Sequence, residues 1–223
     1  MATESKCDDA CQNTLQMHVA SYLTAALGRR AKVLRRSGAS SLLIDLTDNG
    51  GGTDWTYAAV REISPLPLRD PAYAFVRSPH WAHILQSDLT LVRDDLAHHR
   101  EPSELLEETR ERLEHAIAES RVTCDRNSVW TQGSFHCSQL VRGLLYVSGI
   151  LPYAKPDSYP DLASRTVLFK PLAFSYAESV NRLPLYVVVN SNTYSAAEYF
   201  AAVLQNNRAA TILGEVTGGA GCG

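Results

Sequence analysis

Residues 183–223 constrain the fold more than any other part of this 223-residue chain. The stretch begins with a continuous apolar, β-branched run at 185–189, which predicts a strand covered on both faces. A short polar turn follows, and from Ser195 onward small and apolar residues recur at helical spacing. A second strand and a glycine-rich loop complete the stretch. This order predicts an open α/β arrangement, with one serine where the turn becomes the helix.

Ser195 is the candidate nucleophile. At the start of a helix, its hydroxyl and the backbone N–H groups beside it would face open space at the positive end of the helix dipole. Acyl transfer needs such an oxygen, together with two N–H donors aimed at the developing oxyanion. Ala196 would supply one of these donors. The alternative is that Ser195 only caps the helix, which is the commonest role of a serine at this position.

A three-glycine loop, DNGGG at residues 48–52, follows a second predicted strand over 41–47. Glycines let backbone N–H groups turn outward and approach a ligand closely. Ligands of open α/β folds collect at the carboxyl ends of the strands, so this loop and Ser195 are expected to converge. Gly51 or Gly52 would then supply the second oxyanion donor. The loop matches neither a dinucleotide motif nor a phosphate loop, and a tight turn is its alternative interpretation.

Helical periodicity predicts four further helices, over residues 9–37, 54–63, 80–99 and 103–120. Asp9 is expected to cap the first of them. The apolar residues expected to line one face of that helix are Leu15, Val19, Leu23 and Leu27. In the helix over 103–120, Leu106, Leu113 and Ile117 share a face, whereas Glu108 and Arg112 form a surface pair four residues apart. The composition divides the chain into a first core segment (1–64), a helical, cysteine-bearing insertion (65–182) and a second core segment (183–223).

Charge and hydropathy exclude several classes of partner. The formal net charge is −3, and the basic residues are not gathered in one block, so nothing indicates a nucleic-acid ligand. No apolar run approaches the roughly 20 residues that span a bilayer. The sequence predicts no cofactor and no metal site, since none of its cysteine or histidine spacings matches a zinc pattern. It leaves the oligomeric state open.

The five cysteines are interpreted as a disulfide framework rather than as buried thiols. Cys7 and Cys11 are positioned for a local bond, Cys124 and Cys137 for a bond that closes a loop, and Cys222 is left over. The N-terminal residues lack the basic and apolar regions of a signal peptide. If the cysteines are oxidised, the protein is exported to the periplasm or the extracellular space and has lost a leader. A cytoplasmic location stays open.

Two separated blocks resemble the tail-specific, or carboxyl-terminal-processing, serine peptidase family. The first, from Ser40 to about Tyr57, contains DLTDNGGGT, and the second, from Leu183 to Gly221, contains VVVNSNTYSAAEYFAAVLQNNRAATILGEVTGGAG. The wider family includes the tricorn protease core and the interphotoreceptor retinoid-binding protein. The resemblance implies a ββα core of the ClpP/crotonase type and serine endopeptidase activity on peptides or protein tails. It also implies that Ser195, in the motif S-A-[AS]-E, is the nucleophile. The oxyanion amides would then be Ala196 and either Gly51 or Gly52.

The sequence departs from this family at the general base. The tail-specific branch places a lysine in the final glycine-rich loop, where this chain has Ala220, and no lysine or histidine follows Ser195. The tricorn-like branch uses an earlier histidine. Among the seven histidines, His136 is the first candidate because it lies between two cysteines and beside an apolar segment.

The resemblance covers about a quarter of the chain, and both ends of the family core are missing, so the chain is interpreted as a fragment of a larger protein. Two other functions stay open. The same fold binds an apolar ligand in the retinoid-binding relatives, and the absence of lysine at position 220 favours that alternative. The third alternative is a non-catalytic interaction domain that uses the cysteine-bearing lobe.

Overall fold

The computed structural model describes residues 7–69, 73–100, 103–122, 124–125, 127, 138–141, 159–165 and 170–219. The chain divides into two compact units, one formed by Met1–Leu68 with Phe174–Gly223 and the other by Arg69–Ala173. The elements, in chain order, are α1 (Asp9–Arg36), β1 (Leu42–Asp45), α2 (Thr56–Ile63), β2 (Tyr73–Val76), α3 (Pro79–His98), α4 (Ser103–Ser120), β3 (Ser138–Val141), a 3-10 helix (Lys170–Ala173), β4 (Leu185–Val189), α5 (Ala196–Asn206) and β5 (Thr211–Gly214).

The first unit is built on a parallel sheet with the strand order β1-β4-β5. Leu42 pairs with Leu185 at one end of the β1–β4 ladder, and Val189 pairs with Gly214 at the end of the β4–β5 ladder. Because β4 lies in the centre and all three strands run the same way, the turns after β1 and β4 emerge at one edge of the sheet. The predicted mixed α/β fold is confirmed.

The core of this unit lies around β4, α2 and α5, where Val60, Val187, Val203 and Leu204 are fully buried. Alternate residues of β4 are buried, whereas Tyr186 and Val188 on the other face are only partly buried. The expectation of a strand covered equally on both faces is therefore met on one face only, since successive side chains of a strand point to opposite sides.

Helix α1 differs from its prediction at its cap and in its buried face. Asp8 caps it by accepting a hydrogen bond from the Cys11 N–H at 2.9 Å, and Asp9 is already helical. The expected apolar face is largely exposed, with Leu15 at 58%, Val19 at 43% and Leu23 at 39%. The residues that are buried instead are small ones spaced three or four apart, namely Ala20, Thr24, Gly28 and Ala31.

Small residues on α1 permit close approach by α2 and the residue before it. A Cβ at Gly28 would lie 2.0 Å from Oε1 of Glu62, so a larger residue at this position would displace the Glu62 side chain. Next to it, the indole Nε1 of Trp55 donates to Oγ1 of the buried Thr24 at 2.8 Å. Close approach between helices, rather than apolar periodicity, thus decides which face of α1 is buried.

The second unit centres on α3 and α4, and the bounds of α4 are those predicted. Ser78 caps α3 through its hydroxyl, which accepts from the Trp81 N–H. Buried apolar residues of the two helices form one cluster, including Leu85, Leu89 and Val92 of α3 and the predicted Leu106, Leu113 and Ile117 of α4. Strands β2 and β3 of this unit pair antiparallel.

Ion pairs on α4 lie at the surface. The predicted Glu108–Arg112 pair is present, and Arg110 pairs with Glu107 and Glu114 at 2.7 and 2.9 Å. These side chains are partly or largely exposed, so the pairs contribute little to stability. The interpretation of this charged run as a solvated helix face agrees with these positions.

Two cysteine predictions fall on described residues. Cys7 and Cys11 form a disulfide, and Cys124 is disulfide-bonded as well. Its predicted partner Cys137, like Cys222, lies outside the described residues. Within the described helices, no segment has both the length and the apolar character needed to cross a membrane.

Candidate active site

Ser195 occupies the junction between β4 and α5, with φ 53° and ψ −120°. A residue other than glycine in this backbone region costs about 1–3 kcal/mol, and such strain concentrates at functional sites. A sharp strand-to-helix turn with a strained residue is an arrangement that exposes a nucleophile. The residue itself is solvent-exposed, and the helix begins at the next residue, Ala196.

The glycine loop after β1 lies directly against this turn. Gly51 has φ 88°, and a Cβ at that position would lie 2.7 Å from the carbonyl oxygen of Tyr194, 2.8 Å from the nitrogen of Ala196 and 2.9 Å from Cβ of Ser195. The backbones are therefore so close that only glycine fits. Two sequence segments more than 140 residues apart meet at the candidate nucleophile.

The two candidate glycine donors differ in their hydrogen bonds. The Gly51 N–H donates to Oδ1 of Asn49 at 2.9 Å, which occupies it within its own loop. Within the described ranges, no hydrogen bond engages the N–H of Gly52 or that of Ala196. An N–H in the first turn of a helix has no partner within the helix, so Ala196 is free to donate outward. Of the two glycine amides, that of Gly52 is the unengaged one, whereas Gly51 allows the close approach of the two backbones.

A clamp formed by the turn after β1 and the turn after β4 holds these loops together. Oδ1 of Asp48 accepts from the side-chain amides of Asn190 at 3.0 Å and Asn192 at 2.9 Å, and the Asp48 N–H donates back to Oδ1 of Asn190. These hydrogen bonds, from Asn190 first and then Asn192, hold the pKa of Asp48 below its usual range.

Two further hydrogen bonds join the same two turns. The buried Thr193 donates through its hydroxyl to the carbonyl of Leu46 at 2.8 Å, and the Tyr194 N–H donates to the carbonyl of Asn49 at 2.9 Å. The backbone on both sides of the contact is thus fixed before any ligand arrives, as oxyanion stabilisation requires.

Glu198 is the last residue of the S-A-[AS]-E motif, and the sequence predicts no role for it. Its Oε2 accepts from the Ser195 N–H at 3.0 Å, and its Oε1 accepts from the Thr217 hydroxyl at 2.6 Å and the Gly219 N–H at 2.9 Å. The signal was available, because a glutamate three residues after a helix-starting serine is a capping box. Here the carboxylate also ties the glycine-rich loop after β5 to the start of α5.

That glycine-rich loop packs on the serine turn at a second point. The Gly218 N–H donates to the carbonyl of Thr193 at 2.9 Å, and a Cβ at Gly218 would lie 1.9 Å from the ring of Tyr194. The described part of the loop is therefore seated against the turn.

A cavity of about 230 Å³ opens beside the two free amides. Gly51, Gly52 and Ala196 form part of its wall, and the remainder is mostly apolar. The other lining residues are Leu27, Ile44, Leu46, Asn49, Thr53, Trp55, Thr56, Ala59, Ile63, Ala197 and Phe200. An apolar group held there would lie next to the two amide donors.

Residues 108–223 match the sequence profile of peptidase family S41. This match covers more than half of the chain and includes Ser195, Glu198 and the glycine-rich loop that they contact. The chain belongs to peptidase family S41.

Solved structures and curated sequences add two findings on this S41 chain. It is similar to a structure of mature CPAF complexed with lactacystin, at 19% identity and a TM-score of 0.48, over 88% of this chain and 34% of that chain. A second structure of mature CPAF matches at 18% identity and the same TM-score, over 88% and 33%. The S41 chain thus spans about a third of the length of these solved chains. A search of curated proteins finds no match.

The two positions considered for the general base, His136 and Ala220, fall outside the described residues. No hydrogen bond among the described residues joins Ser195 to a histidine or a lysine. In that same part of the chain, histidine, cysteine, aspartate and glutamate form no cluster of three or more suited to a metal ion.

Proposed function

We propose that this S41 chain carries the nucleophile and the oxyanion donors of a serine peptidase that hydrolyses peptide bonds in peptides or protein tails. The observation that carries the proposal is the contact of Gly51 with the backbone of Ser195 and Ala196. It brings a strained, exposed serine and two unengaged amides to the same edge of one sheet. The parallel sheet and its order support a ClpP/crotonase-like core, in which the residues of Arg69–Ala173 form a largely helical insertion.

In the proposed reaction, Oγ of Ser195 attacks the scissile carbonyl carbon and gives up its proton to a base. The carbonyl oxygen becomes an oxyanion, which accepts hydrogen bonds from the N–H groups of Ala196 and Gly52. The amine leaves with a proton, and water then attacks the acyl-enzyme to release the carboxylic acid and restore the serine. Loss of a single oxyanion donor costs about 2.7–4 kcal/mol in comparable serine enzymes.

Glu198 is proposed to position the turn that carries Ser195. By accepting from the Ser195 N–H, it directs that amide away from the reacting carbonyl and leaves Ala196 as the donor that faces the substrate. The same carboxylate holds Thr217 and Gly219. His136 is retained as the proposed base.

The cavity next to the amides supports the proposal that the substrate places an apolar side chain there. The walls contributed by Trp55, Phe200 and Ile44 are mostly apolar and offer no charged group. The same lining favours the second candidate function, in which an S41 chain without peptidase activity holds an apolar ligand. The two functions differ in whether Ser195 reacts.

A fluorophosphonate probe tests the proposal on the intact protein. Ser195 is expected to be labelled and to lose labelling entirely in Ser195→Ala. Ser191→Ala is the matched control, because Ser191 is an exposed serine of the same turn, and it should label like the wild type. Absence of labelling together with tight binding of an apolar fluorophore would support the ligand-binding alternative instead.

We also propose export to an oxidising compartment, periplasmic or extracellular. The Cys7–Cys11 disulfide and the bonded state of Cys124 support it, since disulfides persist where glutathione and thioredoxin do not reduce them. Alkylation of the native protein before reduction, followed by mass spectrometry, should leave these three cysteines unmodified. Alkylation of all three would contradict the proposal.

A further inference from the structure

The unit Arg69–Ala173 contains a cavity that the proposed peptidase chemistry does not use. Its volume is about 470 Å³, which lies in the range of small-molecule sites. It is bounded by the start of α3 and by the residues that follow α4. Its lining residues include Arg77, Arg121, His83 and Gln86.

The charge of this wall has one sign. None of the described residues that line the cavity carries a carboxylate, so nothing in that lining offsets its two arginines. Elsewhere in the same unit arginines do find acidic partners, such as Arg93 with Glu114 and Arg112 with Glu108. Within the described residues, no ion pair engages the guanidinium of Arg77 or that of Arg121.

Arg77 has an unmet donor. Its Nε is buried and has no hydrogen-bond partner in the described structure, so a ligand in the cavity would meet the terminal nitrogens of its guanidinium rather than Nε. An unmet buried donor is uncommon in folded proteins, and a missing ion or ligand is one of its explanations. A guanidinium offers its donors in a planar fork, which matches two oxygens of a carboxylate or a phosphate.

We propose that this cavity binds a small molecule through an oxyanion group, carboxylate or phosphate. Arg77 and Arg121 hold the charge, and Gln86, Ser78 and Ser120 are among the other residues that line the cavity. The start of α3 adds the positive end of a helix dipole beside Arg77. This proposal does not depend on the proposed peptidase function.

Isothermal titration of the full chain with inorganic phosphate and, separately, with citrate tests the site and distinguishes the two oxyanions. At least one of them is expected to bind with a dissociation constant below about 1 mM. The Arg77→Gln/Arg121→Gln double variant should weaken that binding at least about tenfold. Arg100→Gln is the matched control: it removes an exposed arginine of the same unit that does not line the cavity, and it should bind like the wild type.

The Arg77→Lys variant distinguishes a loss of anion binding from a loss of folding stability. It keeps the charge but loses the fork, so binding should weaken severalfold while the thermal midpoint stays close to that of the wild type. Equal affinity in the double variant, or no binding of either anion by a wild-type chain that is folded by circular dichroism, would overturn the proposal. So would binding of an oligoglutamate peptide alone, since that would identify a surface for acidic peptides.

Discussion

The two units of this chain fix their polar groups in opposite ways. In the unit that carries Ser195, many exposed bonds join turns far apart in sequence, such as Asp48 to Asn190 across 142 positions. In the helical unit, the buried carboxylate of Asp95 accepts hydrogen bonds from residues 68 and 69 positions away. Asp95 is 2% exposed and accepts from the N–H groups of Ala163 and Ser164, at 2.9 Å each, and from the Ser164 hydroxyl.

The difference shows what each arrangement is suited to. Exposed bonds are individually weak, but as a network they hold backbone amides in place at an open surface that a substrate can reach. The three hydrogen bonds to a buried carboxylate are strong together, because each buried donor left without a partner would cost free energy of folding. The first arrangement fits a reacting site, and the second fits a scaffold.

The largest effect is expected from Gly51→Ala. The new Cβ would meet three atoms of the serine turn at 2.7–2.9 Å, and alanine at φ 88° is itself strained. We expect a loss of about 3–4 kcal/mol in the free energy of unfolding and complete loss of fluorophosphonate labelling. Denaturant unfolding followed by tryptophan fluorescence measures the first quantity.

Gly50→Ala is the control for that change. Gly50 stands one position earlier in the same loop, and a Cβ there meets nothing within 4 Å. It should unfold and label like the wild type. If both variants behave alike, the contact between the glycine loop and the serine turn does not determine reactivity.

The second effect belongs to the helical unit. Asp95→Ala leaves the two backbone N–H groups and the Ser164 hydroxyl without their acceptor, which should cost about 2–3 kcal/mol. Hydrogen exchange read by mass spectrometry should show faster exchange in Arg69–Ala173 and unchanged exchange at β4 and α5. Asp94→Ala, the exposed neighbour on α3, should change neither. Uniform loosening of both units would contradict the idea that Asp95 serves its own unit.

The sequence predicted the local parts of both units, and the reason is physical. The apolar run of β4, the periodicity of α4 and the serine at the start of α5 are each decided by residues within a few positions. The approach of the glycine loop to Ser195 could be expected from where ligands collect in α/β folds. Its distances could not be, because they depend on Asp48, Asn190 and Thr193 meeting across the sheet edge.

Features decided by tertiary packing escaped prediction. The apolar face expected on α1 is exposed because α2 and the residue before it pack on small residues such as Gly28 and Thr24. The spacing of large apolar residues does not predict that a face of small residues will be buried. The choice between Gly51 and Gly52 as donor also needed the structure, since it rests on the bond from Gly51 to Asn49.

Acid should weaken the clamp in the first unit. Hydrogen bonds from Asn190 and Asn192 lower the pKa of Asp48 in the folded state, so its contribution is fully present above the ordinary aspartate value, near about 4. It is lost as the pH falls through the lowered value. Asn192→Ala removes one donor and should move the acid unfolding midpoint to higher pH, whereas Asn207→Ala, which loses a bond within the α5 turn, should leave that midpoint unchanged. An unchanged midpoint in Asn192→Ala would show that this bond does not stabilise the fold.

The smallest effect has the opposite sign and lies in the helical unit. Asp88 on α3 is 6% exposed, and burial raises the pKa of its carboxyl. A raised folded-state value favours the protonated form, so stability is greatest below the ordinary aspartate pKa and falls as the pH rises through the raised one. Asp88→Asn removes the charge, and it should raise the thermal midpoint at pH 7 by on the order of 2 °C. The gain should vanish in acid, where the wild-type carboxyl is already neutral.

Asp94→Asn, at an exposed site, should show no gain at either pH. A lower midpoint for Asp88→Asn at pH 7 would mean that the charged form of Asp88 is stabilised. Asp88, like Asp95, would then stabilise the helical unit as a carboxylate.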